Sequence, residues 1–400
     1  MSANDTTSAF VRPPAPPGPI RWLRKNLLST WYNVLLTILA SVFIFFVSRG
    51  VVSWVFFSAN WAPVTNSLKL FAVGQYPPEQ LWRVGAIVCM VSFLFGISWR
   101  VWGGTVRTFA LSLAVAFGIM GLLPVGMAWS LRLWLLANPL LTIAGYQVGR
   151  ARIKSWWVAL GWIVSFVLTI VLLSGVKGVR WLPKVVTGVW GGLLLTFLLA
   201  LVGVVASFPI GVLLALGRQS KLPVLKGFCI LFIELVRGVP LVTILFLASI
   251  ILPLFLPEGV RVDRVLRAMI GMTLFAAAYM AENIRGGLQA IPIGQVEAAR
   301  AVGLNNFQTM LLIVLPQALR LVIPAIVGQF IALFMDTTLA VIVGLLELLA
   351  VGRAVLEINV EWKLLNMEVY VFIAAVFWIF NYAMSFASRR LEVALGVGER

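Results

Sequence analysis

The sequence predicts an all-α integral membrane protein with about ten transmembrane helices. Of its 400 residues, 61% are hydrophobic and only 11% are charged, and the mean hydropathy is +1.02. The hydrophobic residues are also grouped into long blocks, which a bilayer can solvate and water cannot. Since about a quarter of the residues of a typical soluble domain are charged, this composition excludes a soluble globular protein.

The net charge of +17 arises mainly from short basic segments between the apolar blocks. Such segments are typical of the cytoplasmic loops of membrane proteins, so we expect no nucleic-acid partner. The two cysteines, Cys89 and Cys229, lie in apolar runs, and the chain has no histidine. The sequence therefore predicts no metal site and no catalytic residue.

Nine apolar blocks are long enough to cross a bilayer, which takes about 20 helical residues. They are 33–57, 84–99, 108–128, 156–175, 190–217, 226–256, 265–284, 310–346 and 369–388. A further block, 131–148, contains Arg132 and the pair Asn138 and Pro139, so its crossing needs separate support.

The charges at the two ends of the chain indicate whether the number of crossings is even or odd. Basic residues at 21–25 and 389–390 flank the first and last blocks and predict that both termini are cytoplasmic. The number of crossings is then even, and counting 131–148 gives ten. Eight is the alternative, because ten crossings place the basic residues of 177–184 outside.

Small residues in block 190–217 predict a close helix contact. Gly203, Ser207 and Gly211 are four residues apart and therefore share one helix face, where another backbone can approach. The alternative is that they are the glycines that membrane helices commonly contain. Pro209 in the same block is tolerable because neighbouring helices can satisfy the carbonyl that it frees.

One polar segment, 285–308, lies between two apolar blocks. Its apolar residues recur mostly every three or four positions, with Glu297 and Arg300 between them: Ile291, Val296, Ala299, Val302 and Leu304. This pattern predicts a short amphipathic helix outside the bilayer that ends at Gly303. Periodicity alone leaves open whether the helix is an interaction surface or a connector.

The same segment carries a resemblance to a known family. The run Glu297-Ala298-Ala299, followed by Gly303, Ile313 and Leu315-Pro316, resembles the EAA motif of ABC importer permeases. Four further segments resemble the polar and general L-amino-acid permeases of that family: ELVRGVPL (234–241), AENIRGGLQAIPIGQ (281–295), LPQALR (315–320) and DTTL (336–339). Three N-terminal segments are similar to the larger permease subunit of general L-amino-acid transport systems: FVRPP (10–14), WLRKNLLSTWYN (22–33) and YPPEQLWRV (76–84). Met335 departs from the family, which usually has lysine there.

The resemblance implies a type I ABC importer permease core of five helices with an N-terminal multi-span extension. The implied divisions are a Pro-rich, then basic, cytoplasmic tail at 1–32, the extension at 33–187, the core at 188–390 and a cytoplasmic tail at 391–400. It further implies a permease subunit for L-amino acids in a bacterial inner membrane. Such a subunit is not an enzyme and has no cofactor of its own.

The same resemblance implies the partners of the chain. They are a second, homologous permease subunit that completes a heterodimer, two ATPase subunits that bind ATP and Mg, and an extracytoplasmic amino-acid-binding protein, with membrane lipid around the helices. In such permeases the loop at 285–308 is a cytoplasmic coupling helix that seats in a groove of the ATPase. The residues implied in coupling are Gln295, Glu297, Ala298, Ala299, Gly303 and Leu304.

Charged and polar residues inside the apolar blocks give candidates for the substrate path: Asp336, Thr337, Thr338, Glu282 and Asn283. A carboxylate within a membrane costs about 2.5–3.5 kcal/mol on the insertion scale. Asp336 is therefore expected either to line the path or to pair with a basic group. For Glu282 and Asn283 the alternative is a structural or gating role. Glu234 and Arg237, three residues apart, are expected to pair on one helix face.

Three other classes of protein are alternatives to a permease. A secondary amino-acid transporter without an ATPase is the main alternative, but such folds often contain inverted repeats, and the sequence has no second EAA-like segment. An enzyme is disfavoured because no Walker A motif or nucleophile–base set is present. A channel is disfavoured because no filter-like loop is repeated.

Overall fold

The computed structural model describes residues 18–122, 129–151, 153–257, 259 and 261–394. These residues are largely helical, and their β-pairing is limited to two isolated bridges, Gly74 with Trp190 and Gly192 with Glu347. The chain forms two compact units, Met1–Asn60 and Trp61–Arg400. An all-α fold is confirmed.

The first unit contains α1 (Pro19–Asn26) and α2 (Trp31–Ser53), which a π-helical turn extends to Ser58. The apolar side chains of α2 are exposed around its circumference, as expected of a helix solvated by lipid. The predicted Pro-rich stretch ends at Pro19, the first residue of α1, and its residues 1–17 lie outside the described ranges.

The second unit begins with the helices that follow the first crossing. They are α3 (Ala62–Asn66), α4 (Leu68–Val73), α5 (Leu81–Trp102), α6 (Gly104–Leu122), α7 (Trp129–Val148) and α8 (Ser155–Ser174). Buried Arg83 at the start of α5 donates hydrogen bonds to the carbonyl oxygens of Leu172 (3.3 Å) and Pro183 (2.8 Å). A cation thus satisfies carbonyl groups at and beyond the C-terminal end of α8.

The block at 131–148 forms α7, which packs closely on α5. A Cβ atom added to Gly96 would lie 2.1 Å from the carbonyl oxygen of Thr142, and one added to Gly145 would lie 2.1 Å from that of Phe93. The Ser92 hydroxyl donates to Asn138 Oδ1 at 2.6 Å, so the polar side chain of α7 is satisfied between helices.

The remaining helices form the core. They are α9 (Gly192–Arg218), α10 (Pro223–Gly238), α11 (Leu241–Phe246), α12 (Arg264–Gln289), α13 (Ile293–Ala301), α14 (Asn306–Gln308), α15 (Leu315–Asp336), α16 (Leu348–Ile358) and α17 (Asn366–Ala394). Seven helices of the described residues are long and apolar enough to cross a membrane, and the bent pair beginning at α10 makes eight. With α6 and α7 this agrees with about ten helices.

The small-residue face of α9 makes the predicted close contact. A Cβ atom on Gly203 would lie 2.7 Å from Leu333 Cδ2 of α15, and one on Gly211 would lie 2.7 Å from Met280 Cβ of α12. Ser207 between them is fully buried. α9 continues through Pro209 without a break.

Two predicted blocks are not single helices. Block 226–256 is bent by 109° where α10 ends, because Val239 takes an extended conformation before Pro240. In block 310–346, α15 ends at Asp336 and a 3₁₀ turn continues to Val343. Asp336 is therefore at a helix end, rather than deep within a long helix as the sequence indicated.

Candidate coupling and translocation sites

The predicted amphipathic helix is α13, and its end is formed by the backbone. The N–H of Leu304 donates to the carbonyl oxygen of Ala299 at 3.1 Å, and the N–H of Gly303 donates to that of Arg300 at 3.0 Å. These two bonds form a Schellman motif, which needs a left-handed residue after the helix. Gly303 supplies it with φ of +86°, as the sequence predicted.

The chain after Gly303 is also held by local hydrogen bonds. Asn305 and Gln308 form a capping box, in which the Gln308 N–H donates to Asn305 Oδ1 at 2.8 Å and the Asn305 N–H donates to Gln308 Oε1 at 3.0 Å. Arg300 of α13 donates to Asn306 Oδ1 at 3.2 Å. α13 and α14 are therefore held in a defined relative position.

α13 has one anchored face and one open face. Ala299 is buried, Val296 and Leu304 are half-buried, and Val296 packs on the core cluster that includes Leu214 and Leu315. Gln317 of α15 donates a side-chain hydrogen bond to Gln295 at 3.3 Å. These contacts join α13 to the helices of the core.

The open face combines charge with exposed apolar groups. Gln295, Glu297, Ala298 and Gly303 are exposed. Three large apolar side chains of α13, its C-terminal end and α14 are also more than 70% exposed: Ile293, Val302 and Phe307. The sequence pattern predicted Val302 on the anchored face. This prediction is wrong, because α13 ends before Val302 and the turn directs its side chain outward. Such a surface is typical of a protein interface.

Five charged residues meet where α9, α10 and α12 approach one another. Arg218 lies 3.1 Å from Glu234 and 3.4 Å from Glu282, and Arg237 lies 3.6 Å from Glu282. Arg285 pairs with Glu282 one turn away on α12. We call this group the ion cluster. Pairing of Glu234 with Arg237 was expected, but each of them pairs with another helix instead.

The ion cluster places Glu282 at its centre, facing three guanidinium groups. Arg237 also lies over the ring of Tyr279, 5.5 Å from its centroid, which adds a cation–π contact. Asn283, the neighbour of Glu282, is half-buried. This arrangement links three helices electrostatically near the end of α12 that leads to α13.

The other predicted path residues lie at the opposite end of the core. Asp336 is half-buried, and the next residue, Thr337, is buried with its hydroxyl donating to the Phe334 carbonyl oxygen at 2.7 Å. Thr338 donates to the Met335 carbonyl oxygen at 2.9 Å. α15 has 22 residues, so at about 1.5 Å per residue roughly 30 Å separate Asp336 from the α13 end.

Glu347 is a buried carboxylate that is not among the predicted site residues. It caps α16, accepting hydrogen bonds from the N–H groups of Leu349 and Ala350, both at 2.8 Å. Burial raises the pKa of Glu347 to about 7, although these two bonds act in the opposite direction. The available signal was a carboxylate directly before a new apolar helix, which is a capping pattern. Within the described ranges no group of three or more metal-ligating side chains occurs.

The described residues thus form a bundle of membrane-length helices with the exposed helix α13 at one end of the core. Residues 207–396 match the family of binding-protein-dependent transport system inner membrane components. The chain is 36% identical to an inner membrane amino-acid ABC transporter permease, YhdY of Escherichia coli K12, covering 94% of this chain and 93% of that one.

Two further relatives differ in length. A permease of a glutamate/glutamine/aspartate/asparagine transport system, BztC of Rhodobacter capsulatus, is 35% identical over 94% of this chain and 93% of its own. A probable glutamine ABC transporter permease, GlnP of Bacillus subtilis, is 36% identical over 51% of this chain and 92% of its own. The chain belongs to the family of ABC transporter permeases, in which ATP hydrolysis is carried out by a separate subunit.

Proposed function

We propose that this permease imports L-amino acids and that α13 is the helix through which separate ATPase subunits drive it. The single observation that carries the coupling role is the two-sided character of α13. Its buried face packs on the core, whereas its exposed face presents Glu297 beside Ile293 and Val302. The amino-acid substrate is supported by the two relatives that match along 94% of this chain.

Motion of α13 has a direct route into the membrane helices. Gln295 is hydrogen-bonded to Gln317 of α15, and Val296 packs on the same core cluster as α12 and α15. ATP binding would bring the ATPases together, move α13 and rock the core helices between inward-facing and outward-facing states. The ion cluster would keep the inner ends of α9, α10 and α12 together during this movement.

The substrate path is proposed to pass Asp336, Thr337 and Thr338. Asp336 is half-buried at the end of α15, so its carboxylate can meet the ammonium group of an amino acid. Glu282 and Asn283 lie near the C-terminal end of α12, at the opposite end of the core from Asp336. The ion pairs of Glu282 favour a structural or gating role for it over ligand contact.

The lengths of two kinds of relative support the proposed division of the chain. GlnP covers only 51% of this chain while using 92% of its own, which supports a permease core at 188–390 that is separate from the extension at 33–187. The proposed complex contains a second homologous permease, two ATPase subunits that bind ATP and Mg, and an extracytoplasmic binding protein. We place it in a bacterial inner membrane with both termini cytoplasmic, by the distribution of basic residues.

Transport by the reconstituted complex tests this function. The chain is purified with its partner permease and ATPases, placed in liposomes with the binding protein, and supplied with labelled L-amino acids. ATP-dependent uptake that is lost when the ATPase is omitted supports the proposal. Uptake driven by an ion gradient without the ATPase would instead establish a secondary transporter.

A further inference from the structure

A groove of about 560 Å³ lies between α5 and α8, outside the sites described above. Leu94 and Ile97 of α5 form one wall, and Trp157, Val158 and Gly161 of α8 are on the other side. A Cβ atom added to Gly161 would lie 3.3 Å from Leu94 Cδ2, so α5 and α8 approach closely at this point and a large side chain at residue 161 would enter the groove. The groove therefore has the apolar lining that an acyl chain requires.

One end of the groove is basic. Lys154, the residue before α8, lines it directly. Two more exposed cations are close in the chain to lining residues: Arg150 precedes Ala151, and Arg100 is one helical turn after Ile97. Trp156 and Trp157 stack at the start of α8, with ring centroids 3.8 Å apart. Tryptophan and lysine together are typical of a membrane–water interface.

The sequence around the groove offers no counter-ion. Residues 81–187 contain ten arginines and lysines but no aspartate or glutamate. The flanking carboxylates, Glu79 and Glu234, are both outside this stretch. The stretch 81–187 therefore supplies no carboxylate to neutralise the basic side chains at the start of α8, and an anion from the bilayer is complementary to them.

We propose that this groove binds an anionic phospholipid. One acyl chain lies between Leu94 and Trp157, over Gly161, and the phosphate is bound by Lys154 and Arg150. The apolar lining of the groove selects a lipid over a free anion, whereas its basic end selects an anionic headgroup over a zwitterionic one. The N-terminal extension would in this way attach the permease to anionic lipid.

Native mass spectrometry of the intact transporter complex tests the proposal. The delipidated complex is titrated with phosphatidylglycerol and, separately, with phosphatidylcholine of identical acyl chains. We expect tight binding of phosphatidylglycerol only. The double variant Lys154→Ala/Arg150→Ala should weaken it about 30-fold, from about fivefold for each cation near a membrane surface.

The control has the same loss of charge at the other end of α8, where Lys177 and Arg180 are exposed. The variant Lys177→Ala/Arg180→Ala should bind phosphatidylglycerol as the original chain does. Equal weakening in both double variants, or equal binding of the two lipids, would overturn the proposal, because charge alone or chain burial alone would then explain binding.

A groove-filling variant separates a lipid from a free phosphate. Gly161→Leu retains every cation but blocks the acyl chain, so it should lose phosphatidylglycerol. Gly161→Ala, a smaller change, should weaken it less, which guards against a folding defect in the larger variant. Competition by millimolar inorganic phosphate together with undiminished binding in Gly161→Leu would show a simple anion site and reject the lipid assignment.

Discussion

The N–H of Leu304 donates to the carbonyl oxygen of Ala299 at 3.1 Å, across the left-handed residue Gly303. This bond turns the chain out of α13 and towards α14. No heavy atom outside the neighbouring residues lies within 4 Å of the position of a Cβ atom on Gly303. The turn therefore requires glycine for its backbone conformation and not for space.

Gly303→Ala should destabilise the end of α13 by about 1 kcal/mol, because an L-residue is strained at a φ of +86°. Gly303→Val should cost more, since a β-branched side chain is worse in that region. Hydrogen exchange at the amide of Leu304 and ATP-driven uptake measure the effect.

Gly294 is the matched control, because it also has nothing near its Cβ position and lies within α13. Gly294→Ala should leave both measurements unchanged or slow exchange slightly, since alanine favours a helix. A similar loss in the two alanine variants would show that the left-handed turn is not the cause.

The end of α13 could be predicted because its determinants are local. The spacing of Val296 and Ala299 marks one buried face, and Gly303 ends the helix through its own backbone. The outward position of Val302 could not be predicted from periodicity, because a helical period no longer applies once the chain has left the helix.

Glu282→Gln should destabilise the complex by about 1–2 kcal/mol, because it leaves Arg218, Arg237 and Arg285 facing one another without their shared carboxylate. The side chain is 23% exposed, so solvent screens part of the effect. Thermal unfolding of the assembled complex measures it. Exposed Glu79→Gln is the control, and an equal shift in both variants would remove the ion cluster from the account.

The ion cluster illustrates what the sequence left undetermined. Glu234 and Arg237 have the spacing of a pair on one helix, and that local rule predicted their contact. Instead Glu234 pairs with Arg218 and Arg237 pairs with Glu282, because α9 and α12 bring oppositely charged groups next to α10. Tertiary packing sets these partners, as it sets the 109° bend that begins at the end of α10.

Asp336→Asn should weaken uptake of amino acids without reducing the yield of the complex. The substitution keeps the volume and removes the charge, so a lost contact with the substrate ammonium should cost about 1.5–3 kcal/mol, or about 10–150-fold in affinity. Uptake kinetics and complex yield are measured together. Lower yield with normal kinetics would instead assign Asp336 a structural ion pair.

Stability should depend on pH through Glu347. Its pKa is raised from 4.5 to about 7 by burial, so the folded protein holds a proton that the unfolded chain has released. The stabilisation is therefore complete below pH 4.5 and is lost as pH rises to about 7. Glu347→Gln keeps an oxygen acceptor for α16 but cannot titrate. Unfolding temperatures between pH 4.5 and 7.5 should fall more steeply in the original chain, and parallel curves would exclude Glu347 as the titrating group.

Glu297→Lys tests most directly whether the exposed face of α13 transmits ATPase movement to the permease. Amino-acid uptake and binding-protein-stimulated ATP hydrolysis are measured in liposomes. The control is Glu79→Lys, an equal charge change at an exposed residue outside α13. Reversing a charge at an interface typically costs at least about 2 kcal/mol. We predict that Glu297→Lys loses both activities at least thirtyfold while the permease is still inserted in the membrane. Glu79→Lys should have normal activity. Normal uptake and stimulated hydrolysis in Glu297→Lys would contradict the account.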